Sequence, residues 1–250
     1  MRHIILHNHL FKNAGTSVEH ILQQNFQDRW LSREFPMAEP GNSDLVAQWI
    51  SDNPKAVAFS SHTMIGPLPK IDDAMIIPLL LLRDPIDRIA SAYRFERIQQ
   101  ADTQGARLAK AHGFAGYVHA RLSVKGDRQC RNFQTSRLAA LAPDAQGSEL
   151  ERACTAIQQI IHQGVLGLVP EFDRAMRRLN ALAVPHHPSF RWQSVTANAA
   201  GRSTSETVSP DMRQLLEEAN QDDLSLLRFA KRSLCQTPSG TLADHFAGMV

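Results

Sequence analysis

The chain has 250 residues, with 27 Lys and Arg against 25 Asp and Glu, a formal net charge of +2. So even a balance excludes a broadly basic nucleic-acid coat protein and an acidic disordered tail. With 43% hydrophobic and 21% charged residues the composition suits a soluble globular protein, read as a single domain over residues 1–250. Only six of the cations are Lys (12, 55, 70, 110, 125 and 231); the other 21 are Arg. Arg offers a planar donor fork suited to phosphate or carboxylate, Lys a flexible point charge. Codon bias is the plain alternative for the bulk of them.

In chain order, MRHIILHNHLF places two His and an Asn inside its apolar stretch and shows no small-residue cleavage site. It reads as a strand over residues 3–8, not a signal peptide. A turn containing Gly15 leads into SVEHILQQNF, where Val18, Ile21, Leu22 and Phe26 recur at helical spacing. Residues 55–60 predict a second strand. Residues 76–82 predict a third, apolar on both faces as an interior parallel strand should be. Asp84 as N-cap and Pro85 at the first helical position then open another helix. Strand and helix alternating in this way indicate an α/β domain with a parallel sheet.

Beyond residue 100 the pattern turns helical. Helices are predicted over 106–122 and 148–161, a fourth strand over 165–169, and a helix over 171–182. Residues 184–210, rich in Pro, Ser, Thr, Asn and Gly, read as a long loop, of a length that in compact domains is usually functional or mobile. Two helices, 210–219 and 221–234, close the chain. The longest apolar run, residues 75–82, contains Pro78 and is too short to span a bilayer. Cys130, Cys154 and Cys235 make no C-x-x-C, so neither a disulfide framework nor a Cys-based zinc site is expected, and the default compartment is the cytoplasm.

Two segments carry chemistry. After the first strand, Lys12-Asn13-Ala14-Gly15-Thr16-Ser17 leads straight into a helix. Free N–H groups and the macrodipole at a helix start make an anion site. Gly15 allows close approach, Thr16 and Ser17 offer hydroxyls, and Lys12 adds a full charge. A capped helix beside an ordinary surface Lys is the plain alternative. The turn is not a Walker A loop, since Lys12 precedes the Gly, and no later strand ends in an acid that would hold magnesium. After the third strand, Arg83 stands where open parallel sheets bind ligands. Ser91 follows about two helical turns later, so both reach one anion only if the helix folds back beside the loop. Strand exit plus N-cap is the plain reading of Arg83-Asp84-Pro85, with Arg88 pairing to Asp84.

Together, K-N-A-G-T-S and R-D-P-x-x-R-x-x-S resemble the two nucleotide-binding signatures of sulfotransferases, enzymes that use 3′-phosphoadenosine 5′-phosphosulfate (PAPS). The wording is most similar to the carbohydrate branch that includes heparan sulfate and uronyl 2-O-sulfotransferases and their bacterial relatives. That branch often reads H-I-P-K-T-A-G-T-S, against H-L-F-K-N-A-G-T-S from His9 to Ser17. Three looser segments also resemble it: Asn132-Phe-Gln-Thr135 with Arg137 and Leu138 (Ser136 being one extra residue), Gly167-Leu-Val-Pro-Glu-Phe172, and the closing D-x-x-L-L-R-F-A from Asp223.

The resemblance implies a P-loop-like, three-layer α/β fold with a central, mostly parallel sheet and a helix-rich second half. The nucleotide core would span 1–100 and 163–200, with acceptor-side helices over about 100–162. It implies that residues 12–17 bind the 5′-phosphosulfate, and that Arg83 and Ser91 bind the 3′-phosphate. Catalysis would fall to Lys12 and to His62, which matches the second His of the branch's H-G-H. Without the family, His62 still follows a strand, so three strand ends would deliver Lys12, His62 and Arg83 to one sheet edge. An imidazole suits proton abstraction from an attacking hydroxyl. His9 is the alternative base. His186-His187 lacks metal spacing and is read as a loop element near the nucleotide or acceptor. The implied reaction moves a sulfuryl group to a saccharide hydroxyl, releases 3′,5′-adenosine bisphosphate, and requires no metal, nucleic acid or membrane span. A P-loop kinase-like phosphotransferase and a non-catalytic adenine-nucleotide-binding protein are the rival readings.

Overall fold

The computed structural model describes residues 1–36, 41–192 and 208–236. Among them the strands are β1 (Arg2–Asn8), β2 (Trp30–Ser32), β3 (Ala58–Ser61), β4 (Ala74–Leu82) and β5 (Val165–Leu168). They form one sheet in the order β2-β3-β1-β4-β5, and every pairing is parallel. The helices are α1 (Gly15–Phe26), α2 (Ser43–Asp52), α3 (Pro85–Ile98), α4 (Gln104–Ala111), α5 (Phe114–Ser123), α6 (Phe133–Ala139), α7 (Glu149–Gln163), α8 (Phe172–Ala183), α9 (Pro210–Ala219) and α10 (Gln221–Gln236).

The period of two along each strand sorts side chains between two helical layers. Ile5, Leu79, Leu81 and Val165 pack against Val18, Leu22 and Phe26 of α1 and Met176 and Leu179 of α8. On the opposite face, Leu80, Leu82, Leu166 and Leu168 meet α7 and α10, while Ile4, Leu6 and Phe59 meet Val46, Trp49 and Ile50 of α2. Both faces are covered, which is why β4 is apolar without alternation. This is the three-layer α/β architecture expected. A further apolar cluster joins α3, α4, α5 and α9 through Ile89, Tyr93, Ala109, Tyr117, Met212 and Leu216, and contains no strand residue. No helix of the described residues is long and apolar enough to cross a membrane.

Three local departures from the sequence reading have simple causes. The helix expected over 106–122 is two, because His112 and Gly113 are extended (ψ 151° and 172°) and the His112 carbonyl accepts from Tyr93 Oη at 3.1 Å. The edge strand β2 has three residues, too few for a periodic signal. Helix α2, unassigned from sequence, buries only Val46, Trp49 and Ile50.

Two distant segments cap one another. Helix α6 begins at Asn132, whose φ of 45° is left-handed and whose side chain does not cap its own helix. Instead Asp223, fully buried on α10, accepts from the N–H groups of Gln134 (3.1 Å) and Thr135 (2.7 Å) and from Thr135 Oγ1 (2.8 Å). In return Asn132 Oδ1 accepts from the N–H groups of Asp222 (3.1 Å) and Asp223 (3.2 Å). Replacing Asp223 by Ala strands three buried donors and is expected to cost roughly 2–4 kcal/mol. Urea unfolding of the variant measures it, and Asp223→Asn should recover part of the loss.

Candidate active site

The connections from β1 and β4 leave in opposite directions, so the crevice at the carboxyl ends of these adjacent strands is the topological switch point where open α/β sheets bind ligands. The turn between β1 and α1 lies there. Lys12 and Ala14 both hold positive φ, 64° and 60°, although neither is Gly. Such strain persists only where the surroundings hold it. Asn13 is the anchor. Its buried amide donates to the Leu81 carbonyl and to Gln134 Oε1, both at 2.8 Å.

Gln134 is a clamp between the Lys12–Ser17 turn and the Arg83 segment. Its Oε1 also accepts from the Arg83 N–H (2.9 Å), and its Nε2 donates to the Arg83 carbonyl (2.8 Å). Arg83 Nη1 in turn donates to the Lys12 carbonyl at 3.2 Å. The two segments that sequence placed at separate strand ends are therefore one structure.

Its electrostatics are one-sided. Helix α1 has no side-chain cap at Ala14 and no acid in its first turn. The Asn13 N–H is spent on the Leu10 carbonyl and the Ser17 N–H on the Ala14 carbonyl, while no backbone carbonyl takes the N–H groups of Ala14, Gly15 and Thr16 among the described residues. Beside them, burial and then the charges of Arg83 and Arg94 hold the Lys12 ammonium below its ordinary pKa. Burial and Arg94 likewise depress Arg83, with Asp87 and Asp84 opposing. None of these three cations has an ion-pair partner among the described residues. Arg94 Nη1 is buried without a hydrogen-bond partner there. Lys12 Nζ sits 4.4 Å from the Phe95 ring centroid. A helix N-terminus flanked by three cations that form no ion pair among the described residues is suited to receive an anion.

Next to it stands a histidine group. The His9 ring packs so closely on the turn that a Cβ at Gly15 would lie 1.8 Å from His9 Cδ2, so only Gly fits. His9 Nδ1 pairs with Glu19 Oε1 at 3.0 Å. The His62 ring lies against His9, tilted by 32° with centroids 3.6 Å apart. Buried His7 lies behind, its pKa held well below the ordinary value by burial and then by His9 and His62. His7, His9 and Glu19 each bring one potential ligand atom within 4.8 Å of the others, although His7 Nδ1 is already paired with Ser60 Oγ.

Comparison with known proteins identifies what such a crevice belongs to. Residues 1–230 match the model of the sulfotransferase family. The chain belongs to that family. A protein of Archaeoglobus fulgidus, described only as uncharacterized, is 34% identical over 245 residues, covering 90% of this chain and 94% of the relative. Membership makes the chain a transferase of the sulfotransferase class, acting in sulfuryl transfer.

Within this sulfotransferase, Lys12, Ala14, Gly15 and Arg83 gather at the switch point. Thr16 and Ser17 are exposed on the first turn of α1, and Ser91 is half-buried on α3, three residues before Arg94 and on the same face. The Asn13 side chain points inward, as structure rather than as a ligand group. One expectation is corrected. His186 and His187 are not near the crevice: His186 stacks on His3 at 3.3 Å and His187 Nε2 donates to the His3 carbonyl at 2.9 Å, at the amino end of β1. Helix α8 runs back from β5, so the chain leaving it emerges at the amino ends of the strands, opposite the Lys12 and Arg83 turns. Residues 193–207 of the same predicted loop lie outside the described residues.

From the sequence Arg94 and Arg137, with Arg97 and Arg131, are candidates only for contacts with an anionic saccharide, and Gln134 and Glu34 carry no role in this sulfotransferase. The Ser91–Arg94 spacing would have disclosed the place of Arg94. Gln134, Glu34 and Arg137 meet their partners across the sheet, where no local pattern reaches.

Proposed function

We propose that the protein transfers the sulfuryl group of PAPS to an acceptor hydroxyl, with a saccharide as the acceptor class. The observation that carries this reading is the uncapped start of α1 beside the unpaired Lys12, Arg83 and Arg94. The family match supports the donor, and the similarity of the two phosphate segments to the carbohydrate branch supports the acceptor.

In this reading the N–H groups of Ala14, Gly15 and Thr16, with the Thr16 and Ser17 hydroxyls, hold the 5′-phosphosulfate. Arg83 and Ser91 hold the 3′-phosphate, and Arg94 adds a third cation to the crevice. His62 takes the acceptor proton as the acceptor oxygen bonds to sulfur. The bond from sulfur to the bridging oxygen breaks, its electron pair stays with the departing nucleotide, and Lys12 stabilises that oxygen. Binding and leaving-group stabilisation thus share one structure, and the reaction needs no metal. Fixing both phosphates orients the donor, which contributes several kcal/mol to barrier lowering, on the order of 7 when alignment is good.

A thermal-shift panel tests the donor. Stabilisation by 3′,5′-adenosine bisphosphate at concentrations where ATP with magnesium has no effect is the expected result. The reverse would sink the proposal in favour of a kinase-like enzyme. A labelled-PAPS screen over saccharide, phenolic and lipid acceptors then tests the acceptor class.

A further inference from the structure

The fixation of His62 is more complete than a surface loop requires. Its peptide N–H donates to Glu34 Oε1 at 3.3 Å, and its ring Nδ1 lies 2.8 Å from the same oxygen. Its carbonyl accepts from Arg137 Nη2 at 2.7 Å, and the same nitrogen donates to the Met64 carbonyl at 2.8 Å. One ring face is covered by His9. Among the described residues, Nε2 is the polar atom of His62 left without a bond.

Glu34 is itself held from both sides. The Arg33 N–H donates to the Ser60 carbonyl at 3.2 Å, and the Phe35 N–H to Thr63 Oγ1 at 2.6 Å. Phe35 is buried with its ring against Trp49. The loop after β2 is therefore pinned to β3 on either side of the carboxylate. Burial alone would raise the Glu34 pKa, but hydrogen bonds from Thr63 and then His62 outweigh it and keep it below the ordinary value. An ionised carboxylate only accepts, so the proton between the two groups resides on Nδ1 and the lone pair on Nε2. That tautomer leaves Nε2 ready to take a proton.

We infer that Glu34 is a positioning residue for His62: it selects the Nδ1–H tautomer, and together with Arg137 it sets the direction in which Nε2 points. The inference rests on His62 as the base proposed above. The plain alternative is a surface ion pair of no consequence, since the two side chains are 40% and 50% exposed.

A double-mutant cycle separates these. Glu34→Ala is expected to lower kcat roughly 10- to 100-fold, leaving the KM for PAPS within about two-fold, because orientation is only part of what a general base contributes. In the His62→Ala background the same change should cost nothing further, since groups acting as a unit are non-additive. Glu34→Asp should recover part of kcat. Stabilisation by 3′,5′-adenosine bisphosphate, measured for each variant, confirms an intact crevice. Full turnover in Glu34→Ala, or an equal loss in both backgrounds, overturns the positioning role while the base assignment stands. Full turnover in His62→Ala overturns both.

Discussion

Replacing His62 by alanine is expected to lower turnover by about 10²–10⁴-fold, the usual contribution of a general base. Stabilisation by 3′,5′-adenosine bisphosphate should persist in the variant. The two halves of this expectation come from the geometry. The crevice at the switch point is held by Asn13, Gln134 and Arg83, none of which bonds to the His62 side chain. The imidazole is half-exposed, so its removal leaves no large cavity and strands little besides Glu34. An enzyme that loses turnover but keeps its nucleotide is distinguished in this way from a mere nucleotide binder. Full activity in His62→Ala would remove His62 as the base and leave His9, buried over Gly15 and paired with Glu19, as the remaining candidate.

The second large effect is expected at Lys12. Lys12→Ala should lower kcat by about 10²–10³-fold, the range found when one donor to a developing oxyanion is removed. Affinity for the bisphosphate product should weaken as well, because one of three crowded cations is lost. The Ala backbone must still adopt the positive φ of residue 12, but the Asn13 anchor and the carbonyl that receives Arg83 Nη1 are both kept, so the turn retains its ties. Lys12→Arg should not restore full activity, since a planar fork beside Arg83 cannot replace a point charge on a single oxygen. Steady-state kinetics with labelled PAPS measures both variants. Unchanged kcat in Lys12→Ala would place leaving-group stabilisation elsewhere, with Arg94 the next cation to replace.

The strained turn shows how sequence and structure divide this work. Lys12-Asn-Ala-Gly-Thr-Ser17 is recognisable because strand, Gly and helix start follow one another locally, and each signal spans only a few residues. The same holds for Asp84-Pro85, whose capping bonds to the N–H groups of Ile86 (3.0 Å) and Asp87 (3.1 Å) form as the sequence implies. Nothing local announces that Asn13 points inward to Gln134, which is 121 residues away. Glu34 was equally hidden. The strand before it is three residues long, and its partner lies 28 residues ahead in a neighbouring strand's exit loop.

By itself the sequence determined the α/β alternation, the both-face burial of the central strand, the two strand-to-helix segments now proposed to bind phosphate and the strand ends that carry Lys12, His62 and Arg83. These follow from side-chain periodicity and backbone capping, which act within a few residues. Tertiary structure alone decided that the two segments are clamped by one glutamine, and that Lys12, Arg83 and Arg94 gather without forming an ion pair among the described residues. It also decided that His62 is fixed from Glu34 and Arg137, and that His186 and His187 sit at the opposite end of the sheet. Those facts depend on strand order and register, which bring residues distant along the chain within hydrogen-bonding reach.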